Sequence, residues 1–466
     1  MVSCIKHGVS RDSAYFIMRL GGSVGTEEMD GTFGFEAGDF VDYGGHLDAR
    51  LVENPAQAPG DIRSMIDGFT KLAIKNSEYR TGNPSLDALT HRMWQRLGQA
   101  ASMIVRKMLV SAPIIVRFHN DADGSSGAYS LYLSAKEFGS AHSLKTNFVW
   151  LMQKGVSYSV FDSENDILIA NNYSCIEKPL LVLIDFGTNT DSNLGLKGVR
   201  DRFDIVWLDH HPLVPGFAGA DLGNYINTWQ FGGDSNYTAG LLTAVMCKAF
   251  SGVDTSEFEG ASLIGDYSSY ATSAGYDMSS LLDFITSDLQ AIYGPGKSNV
   301  TPQEIESIIS DRDRSRELLE YANIKLEEAI DRGINSIKRY SLKNSNLAVL
   351  DFEEVRSEDS KYPLPGRFAS KLLDKLDDMG MTRTILVVSV GAYLLMRIDR
   401  ELCKELDLLK IMNEMKSRYP DDISGGGGHR CAGSIKLRYK ELSKDMTGSL
   451  VNLIKSELGP NINAVP

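Results

Sequence analysis

Pro179-Leu180-Leu181-Val182-Leu183-Ile184-Asp185-Phe186-Gly187 is the stretch that decides the fold. The run before the acid is apolar without a break. That is the pattern of a strand covered on both faces of a parallel sheet, not of one alternating between core and water. Asp185 stands at its carboxyl end, where open α/β sheets present their ligands. Taken alone, an Asp opening a turn before Gly187 explains the residue as well. Other strands ending in the same way are what decide the matter.

Upstream, Pro113-Ile114-Ile115-Val116-Arg117-Phe118 reads as a short buried strand, preceded by an amphipathic helical stretch from about Leu86 to Val110. It ends in His119-Asn120-Asp121-Ala122-Asp123-Gly124-Ser125-Ser126-Gly127. Asp121 and Asp123 are two apart, so an extended loop would aim both carboxylates the same way. Gly124 and Gly127 would then allow a sharp turn into a helix beginning near Ala128. An N-cap cluster accounts for one acid or one Ser. It does not account for His, Asp and Asp at alternate positions. Downstream, the apolar strand Phe203 to Leu208 runs into Asp209-His210-His211-Pro212, which holds two of the chain's 8 histidines. Neighbouring side chains on extended backbone face opposite sides, so the two imidazoles serve different partners. A later segment, Gly260 to Ser268, delivers Asp266. Asp234 competes with it but reads as the N-cap of a helical run from Tyr237 to Phe250.

Imidazoles mixed with carboxylates suit Mn, Fe or Zn, and the oxygen-rich balance leans to Mn2+, with Mg2+ as the alternative ion. Gathered carboxylates repel one another unless cations neutralise them. Two divalent cations about 3.5–4 Å apart are a recurring arrangement for hydrolysing phosphate esters. No cysteine lies near these acids, which disfavours a thiolate zinc site.

The order His-x-Asp-x-Asp-Gly, Asp at a second strand end, Asp-His-His, then Gly-Asp resembles the DHH phosphoesterase superfamily. Gly425-Gly426-Gly427-Gly428-His429-Arg430-Cys431-Ala432-Gly433 looks like that family's C-terminal domain. The resemblance implies one cation held by His119, Asp121 and Asp185 and a second by Asp123, Asp185, His210 and Asp266. It sets His211 toward the scissile phosphate, with Asp209 orienting an imidazole from behind. It also implies that Gly426, Gly427, Gly428 and His429 grip a substrate phosphate through backbone N–H groups, as anion-binding nests do. Arg397 and Arg367 are further phosphate contacts on this reading, although Leu395 stands where the family often carries a Ser two positions before the Arg. His119 in the first position resembles archaeal RecJ-like proteins, similar to the GINS-associated nucleases. About thirty residues follow the glycine motif, so the extra C-terminal domain of bacterial RecJ is not expected.

At 466 residues and 42% hydrophobic content the chain can bury two cores. The expected fold is α/β. A mostly parallel-sheet catalytic domain (85–300) is joined by a helical linker (301–343) to a smaller α/β substrate-binding domain (344–466), with the active-site cleft between them. Thr301-Pro302-Gln303-Glu304 reads as a capping box opening that linker, which runs to about Tyr340. In the smaller domain we expect a strand over Leu347–Leu350, a helix from Arg367 to Met379 and a strand from Thr384 to Val390. Residues 1–84 form an extension whose Phe33 to Phe40 stretch reads as irregular hairpins or a partly ordered arm. The five cysteines have no spacing motif and suit a reducing compartment, with Cys431 a small packed residue. With no run of about 18 apolar residues and no leader pattern, a soluble cytoplasmic protein without membrane contact is expected.

The net charge of −13 argues against a general nucleic-acid coat. Residues 345–466 carry as many basic as acidic side chains, so the acid excess lies before them. The expected activity is a Mn2+-dependent hydrolase, an exonuclease on single-stranded DNA or RNA in replication or repair. The alternatives are an oligoribonuclease or small-nucleotide phosphodiesterase, and a replisome scaffold that docks on GINS and keeps residual nuclease activity.

Overall fold

The computed structural model describes residues 67–68, 70–74, 79–142, 144, 146–155, 157–173, 177–272 and 277–458, together with the backbone of five earlier strands. Those strands are β1 (Ser3–Ser10), β2 (Ser13–Leu20), β3 (Ser23–Asp30), β4 (Phe40–Tyr43) and β5 (Ala49–Leu51). They form an antiparallel sheet in the order β3-β2-β1-β4-β5. Of the Phe33 to Phe40 stretch, only Phe40 falls within the described residues.

The chain divides into two compact units, Met1–Gly275 with Thr301–Glu304, and Tyr276–Val300 with Ile305–Pro466. The first contains the parallel sheet that the apolar runs predict. Its strands are β6 (Ile114–His119), β7 (Phe148–Gln153), β8 (Leu180–Ile184), β9 (Asp204–Asp209) and β10 (Tyr225–Asn227). All pair parallel, in the order β10-β9-β8-β6-β7. Leu180, Val182 and Ile184 bury on one face, with the helices Pro84–Leu109, Ala122–Ala141 and Ala239–Cys247. Leu181 and Leu183 bury on the other, beside Tyr158, Leu196 and Trp207. Every β8 residue therefore needs an apolar side chain, which is why the run is unbroken. Strand order reverses between β6 and β8, so the carboxyl ends of β6, β8 and β9 border a topological switch point.

The second unit is built on a six-stranded mixed sheet, β11 (Lys338–Ser341), β12 (Asn346–Asp351), β13 (Thr384–Val390), β14 (Tyr393–Ile398), β15 (Ile423–Gly428) and β16 (Ala432–Leu437). The order is β11-β12-β13-β14-β16-β15, which leaves the glycine strand β15 at an edge. The expected linker is not one helix. Asp311 ends one turn and caps the next, dividing the segment into helices Pro302–Ile309 and Arg312–Ser336. The longer helix buries Ala322, Leu326, Ala329 and Ile330 with Phe284 and Phe368, so it is part of this unit's core. For the same reason Met278–Ser287, which the sequence places with the catalytic domain, belongs to the second unit. Among the described residues no helix is long and apolar enough to cross a membrane.

Candidate metal centre

His119 ends β6, and its backbone is at once overlaid by the helix Ala122–Ala141. That helix begins six residues earlier than expected. Asp121 is its N-cap, accepting from the Gly124 N–H at 3.0 Å, and Asp123 already lies in its first turn. The two acids are therefore not aligned along an extended loop. The glycines serve close packing, not a turn: a Cβ on Gly124 would lie 2.5 Å from the His119 carbonyl oxygen, and one on Gly127 2.9 Å from Ile184. Asp121 Oδ2 meets His119 Nδ1 at 2.7 Å. Asp234 is likewise not the N-cap of the later helix; that place is taken by Thr238, while Asp234 accepts from the Asn236 N–H.

Asp185 follows β8 with φ +63°, a left-handed backbone that costs an L-residue about 1–2 kcal/mol and that Asp tolerates better than most. Strain of this kind concentrates at functional sites. Its buried Oδ1 lies 3.5 Å from His210 Nε2 and 3.6 Å from His211 Nδ1, and its Oδ2 lies 3.5 Å from His119 Nδ1. These spacings are long for hydrogen bonds and suit ligands arranged around shared cations. His210 Nδ1 sits 2.8 Å from the Ser235 carbonyl, which can only accept, so Nδ1 carries the proton. Nε2 is thereby turned to Asp266 at 3.1 Å and Asp123 at 3.6 Å. Asp209 Oδ1 accepts from the backbone N–H of His210 and of His211 and meets His211 Nδ1 at 2.7 Å.

Among the described residues of the first unit, three groups of side chains converge closely enough to hold a cation: His119, Asp121 and Asp185; Asp123, Asp185 and His210; Asp185, Asp209 and His211. Asp185 is common to all three. Burial opposes protonation of each imidazole, yet the acids prevail. Asp121 and Asp185 lift His119 well above its ordinary value; Asp266, Asp185 and Asp123 do the same for His210; Asp209 raises His211. Burial and then repulsion from Asp185 and Asp266 push Asp123 well above the usual carboxylate range. Burial would also raise Asp185, but His119, His210 and His211 hold it well below that range. Imidazoles and carboxylates gathered this closely make the donor set of a divalent-cation site.

Several supporting residues have no clear signal in the sequence. The Trp229 indole N–H donates to the His210 carbonyl at 3.0 Å, Ser235 Oγ donates to the same oxygen at 2.8 Å, and Asn227 Nδ2 donates to the His211 carbonyl at 2.9 Å. Buried Arg117 forms a two-pronged pair with Asp166 and reaches Asp162, tying β6 to the helix Val160–Ala170. Its only signal is a lone Arg inside an apolar strand, with two acids four apart on a helix. Ser262 and Asp266, also four apart, share a helix face.

The residues expected to contact phosphate, Gly426, Gly427, Gly428, His429, Arg397 and Arg367, all lie in the second unit. The glycine run is neither a linker nor a turn-like nest. It is extended edge strand paired with β16, with Gly426 and Gly428 at φ +134° and +147°. The His429 N–H donates to the Ala432 carbonyl at 2.6 Å across a tight turn. Arg397, on β14, donates from Nε to Ser370 Oγ at 3.1 Å. Arg367 is 7% exposed, and its guanidinium is engaged by Asp283, Ser280 and Ser279, so the structure makes it an internal tie where a phosphate contact was expected. Cys431 is not simply packed: it forms a disulfide with Cys403, which fastens the turn after β15 to the segment Leu402–Lys404.

No family model matches the chain. It is 24% identical over 418 residues to an uncharacterised protein of Methanocaldococcus jannaschii, covering 78% of this chain and 54% of the other, so it spans about half the length of that curated relative. Among solved structures it is similar to the DHH domain of a protein described as belonging to a family of ribosomal proteins, with TM-score 0.69 and 20% identity over 88% of this chain and 100% of that one. It is also similar to RecJ from Thermus thermophilus in complex with Mn2+, with TM-score 0.52 and 11% identity over 81% of this chain and 60% of RecJ. The chain therefore shares the fold of that DHH domain and of RecJ.

Proposed function

We propose that the chain is a divalent-cation-dependent phosphodiesterase that removes nucleotides from single-stranded DNA or RNA, with Mn2+ the preferred ion. The observation that carries this is the convergence of His119, Asp121, Asp123, His210 and His211 on Asp185 at the switch point. His119, Asp121 and Asp185 would hold one cation; Asp123, Asp185, His210 and Asp266 would hold the other. Such ions, when bound, supply positive charge to phosphoryl oxygens and a water acidic enough to attack. The chain's own part is orientation. Asp209 fixes the His211 ring through Nδ1 and favours its charged form, so Nε2 points away from the acid as a donor for a phosphoryl oxygen. Ser235 fixes the tautomer of His210.

The acidic balance of the chain, −13 overall, favours short strands over long polyanions. A small-nucleotide phosphodiesterase is accordingly the second reading. End-labelled single strands of DNA and RNA, from two to thirty nucleotides, digested with Mn2+ or Mg2+ and with chelator, test both readings. Stepwise release that needs the cation is expected. Faster turnover of two- to five-mers favours the second reading, and no hydrolysis of any length overturns both.

A further inference from the structure

We propose that Thr238 and Ser262 are positioning residues that make Asp123 a single-oxygen ligand and set the centre's preference for a small octahedral cation over Ca2+. This rests on the cation reading given above. Asp123, Thr238 and Ser262 are all fully buried. Asp123 Oδ1 accepts from the Gly240 N–H at 2.7 Å and from Ser262 Oγ at 2.5 Å, while Oδ2 accepts from the Ala239 N–H at 3.0 Å. As a cation ligand Asp123 is ionised and only accepts, so the one hydroxyl proton of Ser262 goes to it. The same Oγ accepts from the Leu241 N–H at 3.2 Å and meets Thr238 Oγ1, which must therefore be the donor of that pair. The donor chain runs Thr238 to Ser262 to Asp123.

The consequence is an asymmetric carboxylate. Oδ1 is saturated by two strong donors. Oδ2 has one, and it faces His210 Nε2 at 3.6 Å, on the side where Asp185 and Asp266 also approach that nitrogen. The carboxylate is held by donors on both oxygens, and Gly240 lets the helix end come this close: a Cβ there would lie 2.8 Å from Asp123 Oδ1 and 2.7 Å from Ser262 Oγ. One oxygen only is thus offered to the centre. Ca2+ takes more oxygens, at longer range, and readily uses both oxygens of a carboxylate, whereas small octahedral cations take one from each of several ligands. Partners that orient ligands commonly matter about 10–100-fold in metal affinity.

The test uses the full chain stripped with chelator, with Mn2+ binding followed by electron paramagnetic resonance and Ca2+ binding by calorimetry. Ser262→Ala is expected to weaken Mn2+ about 10–100-fold. Ca2+ should weaken less, so that the Mn2+ preference falls. Thr238→Val should fall part way and Thr238→Ser should restore it. Thr243→Ala removes a buried hydroxyl of the same helix that donates to the Ala239 carbonyl and does not touch Asp123, and it should leave the ion preference unchanged. If Ser262→Ala does not fold, Thr238→Val and its Ser rescue carry the test. Unchanged Mn2+ affinity in these variants, or parallel loss of Mn2+ and Ca2+, overturns the inference alone. A wild-type chain that binds no Mn2+ overturns the cation reading, and this inference with it.

Discussion

The ends of β6, β8 and β9 present side chains, whereas β15 presents main-chain atoms, since Gly425–Gly428 have little else to offer. The acidic centre is largely buried and cross-braced: Asp209 holds His211, Ser235 holds His210, and Trp229 and Asn227 hold the carbonyls of His210 and His211. The glycine strand lies at a sheet edge, and at two of its positions no Cβ could fit. At Gly426 a Cβ would run into the Ser434 carbonyl, and at Gly428 into the Ala432 carbonyl. In the first region residue identity sets the chemistry. In the second it sets only a backbone path.

The largest effect that can break this contrast is at Asp185. Asn keeps the left-handed backbone tolerable while removing the shared charge. Asp185→Asn should cut phosphodiester hydrolysis by about 10³-fold and abolish the rise in melting temperature on adding Mn2+. Retained activity in Mn2+-replete buffer would remove Asp185 from the centre. Next is the Cys403–Cys431 disulfide, whose loss should lower the stability of the second unit by about 2–4 kcal/mol. Thiol counting and urea denaturation, with and without reductant, check this; titration of both thiols in the unreduced protein would refute the pairing. Gly428→Ala adds a Cβ where φ is +147° and should cost about 1–3 kcal/mol of stability by the same denaturation. Its Mn2+ affinity should stay within about twofold of wild type, because Gly428 contributes no ligand atom; a drop matching that of Asp185→Asn would erase the contrast.

The smallest effect is with pH. His119, His210 and His211 are raised, so in cation-free protein their stabilising contribution is complete below about pH 6.5 and is lost as pH climbs through their higher folded values. Raised Asp123 acts in the same direction, losing stability as pH rises above about 3.9 toward its folded value. Lowered Asp185 contributes above about 3.9 and loses its share only as pH falls through its depressed value. Because cations displace the imidazole protons, the melting-temperature rise on adding Mn2+ should grow from about pH 6 to about pH 9, while the chelated protein melts lower. Melts with chelator and with Mn2+ across that range check it, and equal shifts at both ends would argue that no imidazole is displaced.

Much of the centre is legible in the sequence because its ligands follow apolar runs directly. A strand end followed by His119, Asp185 or Asp209 is a local pattern, and β8 shows why the runs had to be unbroken. Less legible are features that depend on what packs against a residue from elsewhere. Gly124 and Gly127 read as turn residues, but His119 and Ile184 lie too close for any Cβ. Arg367 reads as reaching for phosphate, but Asp283, 84 positions away, claims it.

The sequence by itself determined the parallel sheet, the order of the acids along it and the identity of the groups that can face a cation, because strand burial and ligand chemistry are properties of short segments. Only the tertiary structure decided how each group is aimed. The left-handed turn at Asp185, the tautomer of His210, the Thr238–Ser262 grip on Asp123 and the pairing of Cys403 with Cys431 all join residues far apart in the chain, or a side chain to its surroundings. Such couplings have no local signature, since they exist only once the elements have packed.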